Sequence, residues 1–178
     1  MPVDMKETIA EAVHTLLMDR HVKKLTVKDI VDECQITRQA FYYHFEDIPA
    51  LFRWVLEKEK ERIMQIALEQ KDPEEGLRYF FLMAVHAAPC VKKVMQSNYG
   101  DALDHLLTEY AYLLFEQIVE REGLYPTLTR AELKFVLRYH SQAILGIIRN
   151  WTDEDLEHLD QTVHLAYLLM AGEISPRG

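Results

Sequence analysis

The residues best suited to chemistry in this chain lie together between positions 37 and 44. Thr37, Arg38 and Gln39 place a hydroxyl, a guanidinium and an amide side by side, and Tyr42, Tyr43 and His44 follow within one further helical turn. An arginine fork matches guanine O6 and N7, and a glutamine amide matches adenine N6 and N7. Tyrosine and histidine tips reach phosphate oxygens or rest against sugars and thymine methyls. The set points to a short helix whose N-terminal end reads a DNA groove. Phe41 and Phe45 stand four apart in the same run, a spacing that turns both inward. One of the two adjacent tyrosines is expected to be partly buried with them.

Other chemistries find less support. The sequence holds no GxSxG, no Walker loop, no dinucleotide fingerprint and no HExxH, so an enzyme is not expected. Glu116 and Glu120, at helical spacing, read as a solvated face rather than an acid–base pair. His86, Cys90, His105 and His140 are the conceivable metal ligands. No HxxxH or CxxC pairs them, and Pro89 is expected to break the helix between His86 and Cys90, so neither metal nor cofactor is expected. Cys34 and Cys90 have no redox spacing and read as reduced thiols.

The elements that must hold the reading helix follow from periodicity and caps. A first helix spans about residues 4–19, with Ile9, Val13, Leu16 and Leu17 on one stripe. Thr26 starts a second helix as N-cap, with Asp29 three places on as the acidic half of a capping box and Val27, Ile30 and Val31 turned inward. That helix stops near Cys34-Gln35-Ile36, where Cys34 or Gln35 takes the place of the small residue usual in such a turn and no glycine is present. Thr37 caps the third helix, residues 38–45, so the pair reads as a helix-turn-helix. Asp47 caps a fourth helix with Pro49 in its first turn, and the pattern runs through Leu68 to about Gln70, ended by Lys71-Asp72-Pro73. Five more helices are expected at residues 74–88, 89–97, 101–122, 130–151 and 153–171, the fourth of these opened by a Thr129/Glu132 capping box. The fold class is therefore all-α with about nine helices. Residues 1–46 form a three-helix head, and residues 47–178 form a helical body.

Composition agrees. Apolar residues make up 49% of the 178, enough for a sizeable core, and glycine and proline are scarce at six each, against a turn-rich β fold. The net charge of −9 argues against nucleic acid only if it is spread evenly. Residues 20–45 carry five Lys/Arg against three acids, a mildly basic head on an acidic body. The N-terminus has no signal pattern, and the apolar run at residues 80–85 is too short for a bilayer, so a cytoplasmic protein without a membrane partner is expected.

The run T-V-x-D-I from Thr26, followed by T-R-Q-A-F-Y-Y-H-F-E-D-I from Thr37 and L-F at Leu51-Phe52, resembles the DNA-binding domain of the TetR family of bacterial regulators over about residues 8–56. The resemblance implies phosphate contacts for Thr26, Thr37, Tyr42 and His44, base-edge contacts for Arg38 and Gln39, and a sugar or thymine-methyl contact for Tyr43. Lys28, in the first turn of the second helix, joins the DNA-binding set. Many members carry a lysine just after the aromatic run. Here Glu46-Asp47-Ile48 stands there, and that contact is not carried over.

The body raises two further expectations. It is rich in Met and aromatics, which line either a ligand pocket or an ordinary core; Met64, Phe81, Tyr110 and Tyr139 are the candidate ligand contacts. A palindromic double-stranded DNA operator needs two heads about one helical turn apart, hence a two-fold homodimer. The last two long helices are the candidate interface, with Leu133, Leu137, Ile144, Ile147, Leu159, Val163 and Tyr167. A repressor released by a small-molecule effector comes first among the functions. A regulator or activator controlled by a partner protein is second, and a helical enzyme or scaffold with a chance motif is last.

Overall fold

The computed structural model describes residues 4–20, 22–69 and 72–174, with Ala67, Leu68 and Asp153 described by backbone alone. His21, Gln70 and Lys71, where two of the expected breaks fall, lie outside the described residues, as does the side chain of Leu68. Among the described residues the chain is all-α, with nine helices and no strand: α1 Met5–Met18, α2 Val27–Cys34, α3 Arg38–His44, α4 Ile48–Glu69, α5 Pro73–Met95, α6 Gly100–Glu122, α7 Arg130–Arg149, α8 Asp153–Glu157 and α9 Leu159–Ala171. No helix among them is long and apolar enough to cross a membrane.

Two boundaries differ from the sequence pattern. The helices expected at 74–88 and 89–97 are one helix, α5, with Pro89 inside it. An interior proline forfeits one ladder bond and crowds the preceding turn, at about 3 kcal/mol. Phe81 on one side of it and Val94 on the other are both buried, so packing holds the helix together across a residue that would end it in isolation. The helix expected at 153–171 is two. The His158 N–H bonds back to the Asp155 carbonyl at 3.2 Å, tightening the end of α8, and α9 begins without a side-chain cap.

The chain divides into two compact units, one of Met1–Lys58 with Pro89–Leu107, the other of Glu59–Ala88 with Thr108–Gly178. In the first, α1, α2 and α3 pack on one another. Ile9, Leu17, Leu25, Ile30, Phe41, Ile48 and Leu51 are fully buried there. Burying each such side chain is worth about 1.5–3 kcal/mol. Lys6 Nζ stands 5.4 Å from the Phe45 ring centre and 5.7 Å from that of Trp54, and Lys58 Nζ stands 5.6 Å from Trp54 while pairing with Glu7. This aromatic and cationic cluster joins α1 to α4 behind α3.

In the second unit, Leu77, Phe81, Phe115, Val119, Leu137, Ile144, Val163 and Met170 share one core. Ion pairs cross its surface from Arg78 to Asp160 at 2.7 Å and from Glu74 to His164 at 3.0 Å. Tyr125, held at φ +58°, donates its hydroxyl proton to the Met170 carbonyl oxygen. His140 Nε2 lies 3.0 Å from the same hydroxyl, so it must be the donor in that bond.

Candidate nucleic-acid interface

The interface is built from two capped helix starts. At α2, Thr26 Oγ1 accepts from the Asp29 backbone N–H at 3.2 Å, and Asp29 Oδ2 accepts from the Thr26 N–H at 3.0 Å: the reciprocal box that the sequence pattern implies. The Thr26 hydroxyl gives its one proton to Asp29 Oδ2 at 2.6 Å. An anion arriving at this end would therefore meet the first-turn backbone N–H groups of Val27 and Lys28, which have no intrahelical partner, rather than the hydroxyl. Lys28 itself is exposed.

Between the helices the chain turns at Gln35, with φ +55° and ψ +40°. This is the left-handed conformation that glycine adopts without cost and other residues adopt under mild strain. The Ile36 N–H reaches back to the Val31 carbonyl at 3.0 Å, so the turn closes in spite of its residue type.

At α3, Thr37 Oγ1 accepts from the Ala40 N–H at 3.1 Å, and the Phe45 N–H closes the last turn on the Phe41 carbonyl at 2.9 Å. The helix has no acid in its first turn. One side goes inward: Phe41 is fully buried, and its ring centre lies 6.0 Å from that of Phe45, which meets Trp54 at 5.8 Å. The other side is bare. Arg38 and Gln39 are exposed, Tyr42 is 55% exposed and Tyr43 86%. The expected partial burial of one tyrosine is not found, because Phe41 and Phe45 already fill the inward stripe of a seven-residue helix. His44 is half-buried, with Tyr43 set edge-on against it at 5.0 Å. Asp47 Oδ1 accepts from the Ala50 N–H at 2.7 Å and so caps α4, as the sequence suggests. Of the basic residues in the head, Arg20 is paired with Glu33 at 2.8 Å, whereas Lys23, Lys24, Lys28 and Arg38 are exposed.

The residues singled out in the body differ in burial. Phe81 is fully buried, Tyr110 nearly so, Met64 half-buried and Tyr139 exposed. Lys60 Nζ sits 5.4 Å over the Tyr110 ring. The second unit has a pocket of about 100 Å³ lined by Pro73, Leu77, Ile118, Glu122, Leu124, Tyr167, Met170 and Ala171. It includes none of the four candidate ligand contacts. Among the candidate interface residues, Leu137, Ile144, Leu159 and Val163 are buried within the unit, Leu133 and Tyr167 are half-buried, and Ile147 is exposed. The apolar side chains that reach solvent on α7 and α9 are Phe135, Tyr139, Ile147, Leu165 and Leu169. Phe135, Leu165 and Leu169 stand outside the set that the sequence pattern singles out, because periodicity finds a stripe but does not say which of two stripes faces the core. Cys90 is half-buried, and burial pushes its thiol pKa up; His86, four residues before it on the unbroken α5, is exposed.

Residues 9–55 match the family described as bacterial regulatory proteins, tetR family, and residues 71–164 match a family described as transcriptional regulator C-terminal region. A relative from Bacillus subtilis (strain 168), the uncharacterized HTH-type transcriptional regulator YxbF, is 31% identical over 61 residues. That match covers 34% of this chain and only 16% of the relative's length. Two solved structures share the fold over 95% of this chain. They are the dihydroxyacetone kinase operon activator DhaS (TM-score 0.66, 18% identity, 95% of that chain) and the fatty acid degradation regulator FadR from Bacillus halodurans (TM-score 0.59, 17% identity, 99% of that chain).

Proposed function

The chain belongs to the tetR family of bacterial regulatory proteins, and from that premise we propose that it is a sequence-specific repressor: a homodimer that occupies a palindromic operator and is released by a small-molecule effector. The observation that carries the reading is the outer face of α3. Arg38, Gln39, Tyr42 and Tyr43 all stand in solvent on a capped helix without an acidic first turn, and Phe41 and Phe45 fix that helix from behind. In this reading Arg38 and Gln39 meet base edges, Tyr43 a sugar or thymine methyl, and Thr37, Tyr42 and His44 phosphates. Lys28 and the first-turn amides after Thr26 meet the DNA phosphate backbone where the second helix approaches it.

Dimerisation is supported by apolar surface that a single chain leaves wet. Phe135 is 71% exposed and Tyr139 64%, one helical turn apart on α7, and Leu165 and Leu169 repeat the spacing on α9. A Cβ built on Gly146 of α7 meets nothing within 4 Å, so this glycine leaves open space where another helix can come close. Two heads on one two-fold axis match the symmetry of a palindromic site. Repression follows from occupancy, since a dimer on its operator excludes other proteins from that DNA. The pocket beside Tyr167 and Glu122, at about 100 Å³, is well below the roughly 300–1,000 Å³ of ordinary ligand sites, so an effector would have to be small or widen it on binding. Such an effector releases the operator only if it binds the DNA-bound form more weakly than the free form.

Selection from a randomised duplex library tests the reading. An enriched inverted repeat, bound with a steep salt dependence, is expected. Enrichment of no sequence, or of a single unpaired half-site, would overturn it.

A further inference from the structure

Leu25 is the last residue before the α2 cap, and its side chain is fully buried. The helical ladder of α2 begins after it, with the Ile30 N–H on the Thr26 carbonyl, so both backbone polar groups of Leu25 need partners from elsewhere. One side chain supplies both. The Leu25 N–H donates to Asn98 Oδ1 at 3.1 Å, and Asn98 Nδ2 donates to the Leu25 carbonyl oxygen at 3.4 Å. The carboxamide offers Leu25 the acceptor and donor that a neighbouring strand would offer.

Asn98 reaches Leu25 across 73 residues of sequence, from the turn between α5 and α6. That turn is itself fastened. Ser97 Oγ donates to the Val94 carbonyl at 2.7 Å and accepts from the Tyr99 N–H at 3.2 Å. The Tyr99 ring meets Phe52 edge-on with centres 6.0 Å apart. Gly100 opens α6 so close to the end of α5 that a Cβ there would stand 2.3 Å from the Met95 carbonyl oxygen. The turn lies in the same compact unit as the three-helix head. Yet it belongs to the region matched by the C-terminal regulator family, whereas Leu25 belongs to the region matched by the tetR family. Asn98 is exposed, so filling the core does not explain it.

We propose that Asn98 is a positioning residue for DNA binding: its carboxamide, held by the α5–α6 turn, clamps Leu25 and so fixes where the Thr26 cap and the N-terminus of α2 stand when the head meets a duplex. The proposal rests on the DNA-binding function proposed above. It adds that residues 1–46 do not make a complete head, because the second helix is set in place by a residue from the C-terminal region.

The test uses the full-length protein, hydrogen–deuterium exchange of the DNA-free form, and affinity for the duplex selected from the randomised library. Asn98→Ala is expected to speed exchange of the Leu25 amide about tenfold or more while amides of α3 and α9 exchange as before. It is expected to weaken duplex binding about five- to tenfold with the preferred sequence unaltered, since no base contact is lost. Asn98→Asp keeps an oxygen facing the Leu25 N–H and restores its protection. If the alanine form does not fold, Asn98→Ser, whose hydroxyl is too short to reach both backbone groups of Leu25, takes its place with the same expected losses. Gln96→Ala, an exposed change in the same turn, leaves both readings as in the wild type. Unchanged Leu25 exchange in Asn98→Ala would overturn the clamp, and faster exchange with wild-type affinity would overturn the positioning role. A wild-type protein that selects no duplex sinks the function itself; a wild type that selects one, bound equally well by Asn98→Ala, sinks only this proposal.

Discussion

On α3, Phe41 goes into the core while Tyr42 and Tyr43 stay in solvent; on α7, Leu137 and Ile144 go into the core while Phe135 and Tyr139 stay in solvent. Both helices are two-faced, but their outer faces differ in kind. The α3 face ends in a guanidinium, an amide and two hydroxyls, groups that trade water for another polar surface at little loss. The α7 face ends in a bare phenyl ring and a phenol with aliphatic neighbours, which gain only by meeting more apolar surface. In the proposed reading, the same two-sided pattern serves a polar polymer at one end of the sequence and a second copy of the chain at the other.

Substitutions on the two sides of each helix sharpen this contrast. The largest effect belongs to Val163, which is buried in the second unit's core. Val163→Asp would place an uncompensated carboxylate there, at a cost on the order of 4–5 kcal/mol or more, and thermal melting should find the body unfolded. Leu169→Glu, on the exposed side of the same helix, should leave the melt nearly unchanged and give a monomer by sedimentation. A folded Val163→Asp, or a Leu169→Glu protein that stays dimeric, would break the assignment of faces. Phe41→Ala should cost about 3–5 kcal/mol by denaturant unfolding, because it empties the ring contact that seats α3. Tyr43→Ala should stay within about 0.5 kcal/mol of wild type in stability and lose DNA affinity instead. Equal stability losses for the two would mean that α3 has no outer face.

These pairs also mark what the sequence could and could not reveal. The helix starts of the head are legible almost to the residue because they carry side-chain caps: Thr26, Thr37 and Asp47 all accept the N–H bonds their spacing implies. A seven-residue helix also has room for one inward stripe only. In the body, Pro89 suggested a break that packing on both sides overrides, and His158 made a break that carries no Gly or Pro to announce it. The twenty-residue α7 holds two apolar stripes, and periodicity alone does not say that Leu137 and Ile144 face the core while Phe135 and Tyr139 face solvent. Tertiary partners decided those cases, and single-sequence patterns do not contain them.

Two smaller effects remain. Burial holds the His140 pKa below its ordinary value, so the unfolded chain takes up the proton first as pH falls. Stability linked to His140 is therefore full above about pH 6.5, the ordinary histidine value, and declines as pH drops below it. His140→Gln, which keeps a donor for the Tyr125 oxygen, should flatten the dependence of melting temperature on pH across that window, and an unaltered profile would place the pH sensitivity elsewhere. At the turn between α2 and α3, Gln35→Gly should relieve the positive φ and raise stability by up to about 0.5–1 kcal/mol, read as a higher melting temperature. A lower one would show that the Gln35 side chain contributes more than its backbone strain costs.

The most direct test of the central claim is the binding of wild type and Arg38→Ala to the selected duplex and to its single-base-pair variants at one salt concentration. If the outer face of α3 reads sequence, Arg38→Ala loses about 1–3 kcal/mol on the selected duplex and stops discriminating at one base pair in each half-site, while the other positions keep their preference. Equal weakening on every duplex, with all preferences intact, would contradict the claim and reduce Arg38 to a phosphate contact.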